Sequence, residues 1–235
     1  MKVQLDTEQL VRELVRLRRA EVCARDTDVL AGVRSRLERA LGRSVTRAVA
    51  ARTLAISQTA LGTWIERGEI STVMTPNGRR RVPLRELLEL AAAVEEHREV
   101  SPGDPYPLAT VLRSRRETIE RLDPERILPA RYRQGDPEGH RRAELRGLAY
   151  HRAVAERLDA RLVADARARL HDWLEEGKID QRHAAQWERV LSQPIPSIAR
   201  TISGDRQSSR SLRQSSPLTG VLSEPERRKV LEIVG

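Results

Sequence analysis

The sequence predicts a mainly α-helical protein with one small β-hairpin set between helices. Three observations lead there. Apolar residues recur at three- and four-residue spacing through most of the chain. Only one short β-branched run, Ile70 to Met74, stands ahead of an Asn-Gly turn. The composition, 33% charged and 3% aromatic with no Phe, suits helices with wetted faces better than one dense core. At 235 residues the chain can bury one large core or two modest ones.

Residues 1–43 form an N-terminal helical segment. Leu10, Leu14 and Leu17 mark one amphipathic helix, and Leu30, Val33, Leu37 and Leu41 mark a second, with Asp26, Thr27 and Asp28 as a capping stretch between them. These helices either pack on the next module or pair with a second chain; dimerisation is the favoured reading.

Residues 44–98 carry the most informative pattern. Ala48 to Thr53 is Ala-rich and helical, with Val49 and Leu54 available to a core. Leu54, Ala55 and Ile56 make a tight apolar turn, and Ser57 caps the next helix. Leu61, Trp64 and Ile65 then give a buried stripe, while Gln58, Thr59, Gly62 and Thr63 fall on the other side. Gln bonds adenine in bidentate fashion, and Thr can donate, accept or touch a thymine methyl. Gly68 ends this helix. Ile70 to Met74 is a strand, Asn77-Gly78 its turn, and Arg79, Arg80 and Arg81 gather at the turn and on the return strand. Pro83 opens a third helix to about Arg98, with Leu84, Leu87, Leu88, Ala91 and Val94 on one face. A helix pair followed by an Arg-tipped hairpin can offer one element to a DNA major groove and another to the backbone.

The segment ARTLAISQTALGTWIERGEISTVMTPNGRRRVP resembles the winged helix-turn-helix of the excisionase and MerR-like family. It matches the Ala-rich helix, the L-x-I-S turn, W-I-x-x-G-x-I and the Gly- and Arg-rich wing, over roughly a fifth of the chain. The resemblance implies that the helix starting at Ser57 enters the major groove and that the wing arginines touch phosphate or minor groove. The fold class expected is therefore a winged helix-turn-helix flanked by N-terminal helices and a C-terminal all-α domain. The candidate DNA-binding residues are Ser57, Gln58, Thr59, Gly62, Thr63, Arg67, Asn77, Arg79, Arg80 and Arg81. Three phosphate contacts imply a salt slope of about −2.7, weak binding for one copy, so a homodimer is expected.

Residues 99–139 read as a linker region with one helix, about Leu108 to Leu122, after the proline-rich stretch Ser101 to Pro107. Residues 140–235 read as a helical, partner-binding domain. Leu145, Leu148, Val154 and Leu158 line one segment; Leu162, Val163, Ala166, Leu170, Trp173 and Leu174 the next; Ala184, Trp187, Val190 and Leu191 a third. A last helix runs from Pro225 to Val234 with Ser223 as cap. Between the third and the last lies a Ser- and Arg-rich stretch with Arg206, Arg210 and Arg213, which reads either as a solvated loop with a short helix or as an element that orders on a partner.

Trp173 to Gly177, Ala184 to Leu191 and Leu212 to Leu222 resemble a set of actinobacterial proteins that look like the antitoxin partners of PIN-type ribonucleases or nucleotidyltransferase-like toxins. That resemblance implies that the C-terminal domain covers a toxin and that Arg206, Arg210 or Arg213 enters its acidic site.

Charge adds less than its total suggests. The net +9 is spread: 10 basic and 7 acidic groups in 1–43, 8 and 6 in 44–98, 7 and 6 in 99–135, 18 and 15 in 136–235. Lys2, Lys178 and Lys229 are the only lysines, so 40 of the 43 cations are Arg, which a GC-rich genome explains as readily as a function. A lone Cys23 excludes an internal disulfide and a Cys-based zinc site. The five histidines form no HExxH or His-x-His pattern, and no P-loop, GxGxxG or G-x-S-x-G occurs, so neither an enzyme nor a cofactor is expected. With no secretory pattern and no transmembrane run, the expected location is the cytoplasm. The function expected is a DNA-binding antitoxin that represses its own operon; a stand-alone regulator, an excisionase-like factor or an interaction scaffold are the alternatives.

Overall fold

A computed structural model describes residues 6–20, 27–133 and 139–235; Cys23 and the cap expected at Asp26 lie outside them. The chain divides into two compact units, Met1–Thr118 and Ile119–Gly235. Both are mainly helical. Among the described residues all strands lie in the first unit, and no helix is long and apolar enough to cross a membrane.

The first unit runs α1 (Thr7–Ala20), α2 (Thr27–Leu41), β1 (Ser44–Val45), α3 (Arg47–Thr53), α4 (Gln58–Glu66), β2 (Val73–Met74), β3 (Arg80–Pro83), α5 (Leu84–Val100) and α6 (Pro107–Glu120). The strands form an antiparallel sheet in the order β1-β3-β2, with Ser44 opposite Pro83, Val45 opposite Val82, Val73 opposite Arg81 and Met74 opposite Arg80. The sequence pattern predicts two strands. The third, β1, has two residues, too few to show an alternation.

The hairpin turn differs in kind from the one an Asn-Gly pair suggests. Asn77 keeps a negative φ, which excludes the mirror-image turn with two positive φ angles at Asn77 and Gly78. The loop instead closes with Gly78 N–H donating to Thr75 O at 2.9 Å and Thr75 N–H to Arg79 O at 2.9 Å. Gly78 takes the left-handed φ of 70° that the next step requires. Pro83 ends β3 and caps α5 rather than lying inside its first turn; Leu84 N–H bonds Arg43 O at 3.0 Å across β1.

Leu84, Leu87, Leu88, Ala91 and Val94 are buried along α5, where they meet Val49 and Leu61 of the helix pair, Val45 and Val82 of the sheet, and Leu112 of α6. Of the two arrangements open to the N-terminal helices, α1 takes the first: it packs on α5 and α3 within this core. Its buried face is Val11, Leu14, Val15 and Arg18, one step round from the leucine stripe, and Leu10 and Leu17 are only half-buried. Arginine belongs to this face because Glu89 of α5 receives the Arg18 guanidinium at 3.3 Å, while the neighbouring Arg19 reaches Glu95 and Glu99.

The second unit runs α7 (Pro124–Ile127), α8 (Ala130–Arg133), α9 (Gly139–Ala155), α10 (Ala160–Glu175), α11 (Gln181–Leu191), α12 (Ile195–Ser203), α13 (Gln207–Gln214) and α14 (Glu224–Val234). α9 is central and packs on α7, α12, α13 and α14. Leu145, Leu148, Val154, Val163, Ala166, Leu170, Ala184, Trp187, Val190 and Leu191 are buried as their spacing predicts; Leu174 is exposed, one 100° step beyond Trp173. Side-chain oxygens of Asp159 and Asp180 cap α10 and α11, and Glu226 accepts the backbone N–H of Ser223 at 2.7 Å to open α14.

The Ser- and Arg-rich stretch lies against its own unit, and side chains from the core fasten it. The Tyr150 hydroxyl donates to Leu218 O at 3.1 Å and accepts from Val221 N–H at 3.0 Å. Trp187 Nε1 donates to Leu212 O at 3.2 Å, and Arg169 donates to Pro217 O and Thr219 O. His151 completes the clasp: Nδ1 lies 2.7 Å from Gly147 O and Nε2 2.8 Å from Ser216 Oγ. The carbonyl demands the proton on Nδ1, so Nε2 accepts from the serine hydroxyl.

Burial pushes the His151 imidazole down to about 4 against the pull of the Gly147 carbonyl, and the nearby Arg213 charge acts in the same direction as burial. The unfolded chain therefore takes up a proton below its ordinary value of 6.5 that the folded unit refuses. Stability is expected to fall as pH drops from 6.5 to 4, by up to about 3 kcal/mol. Urea denaturation across that window checks this, and His151→Gln should flatten the dependence.

Candidate nucleic-acid interface

The turn between α3 and α4 sets the angle at which α4 is presented. Thr46 caps α3 through Val49 N–H at 3.3 Å, and Ser57 caps α4 through Ala60 N–H at 3.1 Å. Between them, Ile56 N–H bonds Ala51 O at 3.0 Å and Ala55 N–H bonds Arg52 O at 3.2 Å, the paired closure that normally takes glycine at its left-handed position. Here that position is Ala55, with φ 55°.

Ser57, Gln58, Thr59, Thr63 and Arg67 are all exposed on α4. At 100° per residue Thr59 and Thr63 stand side by side, whereas Gln58 projects from the first turn toward another flank. The Thr63 hydroxyl turns back to Thr59 O at 3.3 Å. Arg67 lies over the Trp64 ring, 5.4 Å from its centroid.

Gly62 does not share the exposed face that the spacing assigns it. It is buried, and a Cβ there would stand 2.9 Å from Arg47 Nη2. A glycine is what allows the Arg47 guanidinium to lie across this part of α4.

Arg47 is the residue that reading along the chain misses. β1 runs antiparallel to β3, so the chain leaving β1 heads toward the β2–β3 turn, where Asn77, Arg79 and Arg80 are exposed and Arg81 is half-buried. Arg47 follows two residues after the strand, and its guanidinium reaches α4. It therefore joins the hairpin side of the unit to the α4 side. Arg43, Arg47, Arg79 and Arg80 are exposed and make no ion pair among the described residues.

Nine other arginines of this unit differ. Arg12, Arg16, Arg18, Arg19, Arg34, Arg52, Arg85, Arg115 and Arg116 each pair with a glutamate. Residues 43–83 hold seven arginines against two glutamates, and one of those, Glu69, is neutralised by Arg116. Counting charge over 44–98 hides this excess because it includes the acids of α5, of which Glu89 and Glu95 pair with α1.

The base of the hairpin is fixed by Glu86 of α5. Its buried carboxylate accepts Ser71 N–H at 3.2 Å and the Arg115 guanidinium of α6 at 3.3 Å. Burial raises the Glu86 carboxyl above its usual range, with Arg115 and Ser71 pulling the other way.

The three C-terminal arginines separate. Arg213 donates to Ile202 O at 3.2 Å and Gly204 O at 2.5 Å, and Arg210 pairs with Asp205 at 3.0 Å and Glu144 at 3.6 Å. Arg206 is exposed at the start of α13 without a partner among the described residues. No group of three or more His, Cys, Asp or Glu among the described residues is placed to hold a metal.

No protein-family model, curated protein or solved structure matches this chain.

Two substitutions probe the arrangement. Glu86→Ala leaves Arg115 and the Ser71 N–H unpaired and should cost about 3 kcal/mol, read by urea denaturation, with faster amide exchange at Ser71 and along β2. Gly62→Ala meets only the mobile end of Arg47 and replaces a poor helix former, so thermal stability should hold or rise by up to about 1 kcal/mol while Arg47 is displaced.

Proposed function

We propose that this chain is a double-stranded DNA-binding regulator whose first unit acts as a winged helix-turn-helix. α4 would lie in the major groove, with Thr59, Thr63 and Gln58 at base edges and the β2–β3 hairpin as the wing on the backbone. The observation that carries this reading is Arg47: an unpaired cation, seated against Gly62 of α4 and two residues beyond the strand that pairs with the arginine-bearing strand of the hairpin. Arg43, Arg79 and Arg80 supply further charge on the same unit. Neutral, short side chains on α4 framed by free guanidinium groups suit base reading with phosphate anchoring.

Within this reading the chain is an antitoxin that represses its own operon as a homodimer. Of the three C-terminal candidates, Arg206 is the one available to the acidic site of a PIN-type ribonuclease or nucleotidyltransferase-like toxin, since Arg210 and Arg213 hold their own unit together. Arg206→Ala should weaken toxin neutralisation, whereas Arg213→Ala should lower stability.

Titration of the full chain with genomic DNA fragments across salt tests the main claim. Four phosphate contacts, from Arg43, Arg47, Arg79 and Arg80, imply a slope of about −3.6, a loss of roughly 150-fold between 50 and 200 mM salt for each copy. Arg47→Ala or Arg80→Ala should reduce the slope by about one and weaken all sites alike, while Thr63→Ala should change preference among sites. Absence of salt-dependent binding would leave the unit as an interaction scaffold.

A further inference from the structure

A cavity of about 350 Å³ opens beside α4, within the first unit. Leu54 and Ile56 of the α3–α4 turn, Trp64 of α4, and Tyr106 and Leu108 at the start of α6 give it an apolar lining. Thr63 and Ala60 of α4 complete the α4 wall, and Arg98, near the end of α5, stands at the rim.

The opposite wall is built and held. Asp104 accepts Tyr106 N–H at 2.8 Å, the Thr110 hydroxyl at 2.7 Å and His97 Nε2 at 2.8 Å, which fastens the α5–α6 connection to both helices. Those bonds, Tyr106 N–H first, hold the Asp104 carboxyl below its usual range. Tyr106 is 73% exposed even so, its ring left without a covering side chain. The volume lies within the range of pockets that bury small molecules.

The lining also specifies chemistry. Trp64 and Tyr106 offer aromatic surface to a flat ring. Arg98 is exposed and has no ion-pair partner among the described residues, and no acid lines the cavity. A free guanidinium at the mouth of an apolar slot fits a carboxylate in bidentate fashion.

We propose that this cavity binds a planar aromatic carboxylate, with the ring between Trp64 and Tyr106 and the carboxylate on Arg98, and that its occupancy weakens DNA binding. The ligand site rests on the cavity alone; the coupling rests on the DNA-binding reading above. Its physical basis is proximity: the cavity shares Thr63 with the face that reads bases, so the ligand brings a negative charge to where phosphates approach and takes up the Arg98 cation.

Isothermal titration of the full chain with naphthoate, against neutral naphthamide, tests the site. Naphthoate should bind saturably, one per chain, and at least about tenfold tighter than the amide, the worth of one charged hydrogen-bonded pair. Arg98→Ala, at an exposed position, should bring the two to equal affinity. Ala109→Trp, which fills the cavity from α6, should abolish binding; if that variant does not fold, Arg98→Glu serves in its place and should reject naphthoate. No saturable binding at millimolar naphthoate, or binding indifferent to Arg98, would overturn the site.

In a second arm, naphthoate at a concentration that fills the parent chain but not the weaker-binding Arg98→Ala should weaken DNA binding about fivefold or more in the parent and have little effect on the variant. Unchanged DNA affinity with naphthoate bound would overturn the coupling. A chain that binds no DNA at all fails the functional reading, and the titration still decides the cavity.

Discussion

One buried carboxylate organises the first unit. Glu86 sits on the helix that carries the core stripe, yet its two oxygens serve the segment entering the hairpin and the helix after it. A hairpin of two-residue and four-residue strands has little stability of its own in water. It persists because Val82 is buried in the sheet and because Ser71, just before β2, is tied to α5. Arg115 makes this tolerable, since a carboxylate removed from water needs a cation and hydrogen-bond donors around it. Arg116 repeats the pattern one residue later with Glu69. The linker-like segment and α6 thereby become part of the support for the hairpin.

Much of this was legible along the chain, and the rest was hidden for specific reasons. The helix pair, the Ser57 cap, the α5 stripe and the Ser223 cap follow from local spacing and local hydrogen bonds, which sequence records directly. Spacing puts Gly62 on the wrong face because a glycine gives no sign of which way its missing side chain would face; only the Arg47 guanidinium, fifteen positions earlier, explains it. The α1 face was offset because Arg18 counts as a surface residue until Glu89 is known to receive it. Arg47 itself carries no signal in the sequence because β1 is too short to be recognised, and without β1 nothing connects that arginine to the hairpin.

The second unit gives the same lesson in a different chemistry. Its Ser- and Arg-rich stretch has the composition of a chain that stays open until something binds it. Composition, though, counts apolar side chains and ignores what distant residues do to the backbone. Tyr150, His151, Arg169 and Trp187 come from α9, α10 and α11, and each satisfies a carbonyl, hydroxyl or N–H of that stretch. Buried backbone groups need such partners, and long side chains supply them where neither helix nor sheet does.

Nearly all the cations of this chain are arginine, including every unpaired one around α4 and the hairpin. A guanidinium keeps its charge at any physiological pH and offers no amine for acetylation. The two commonest ways of switching off a basic surface, proton loss and acyl transfer to lysine, are thus closed to this one. If the proposed binding to DNA holds, control over it would have to come from ionic strength, from the number of copies engaged, or from something seated against α4.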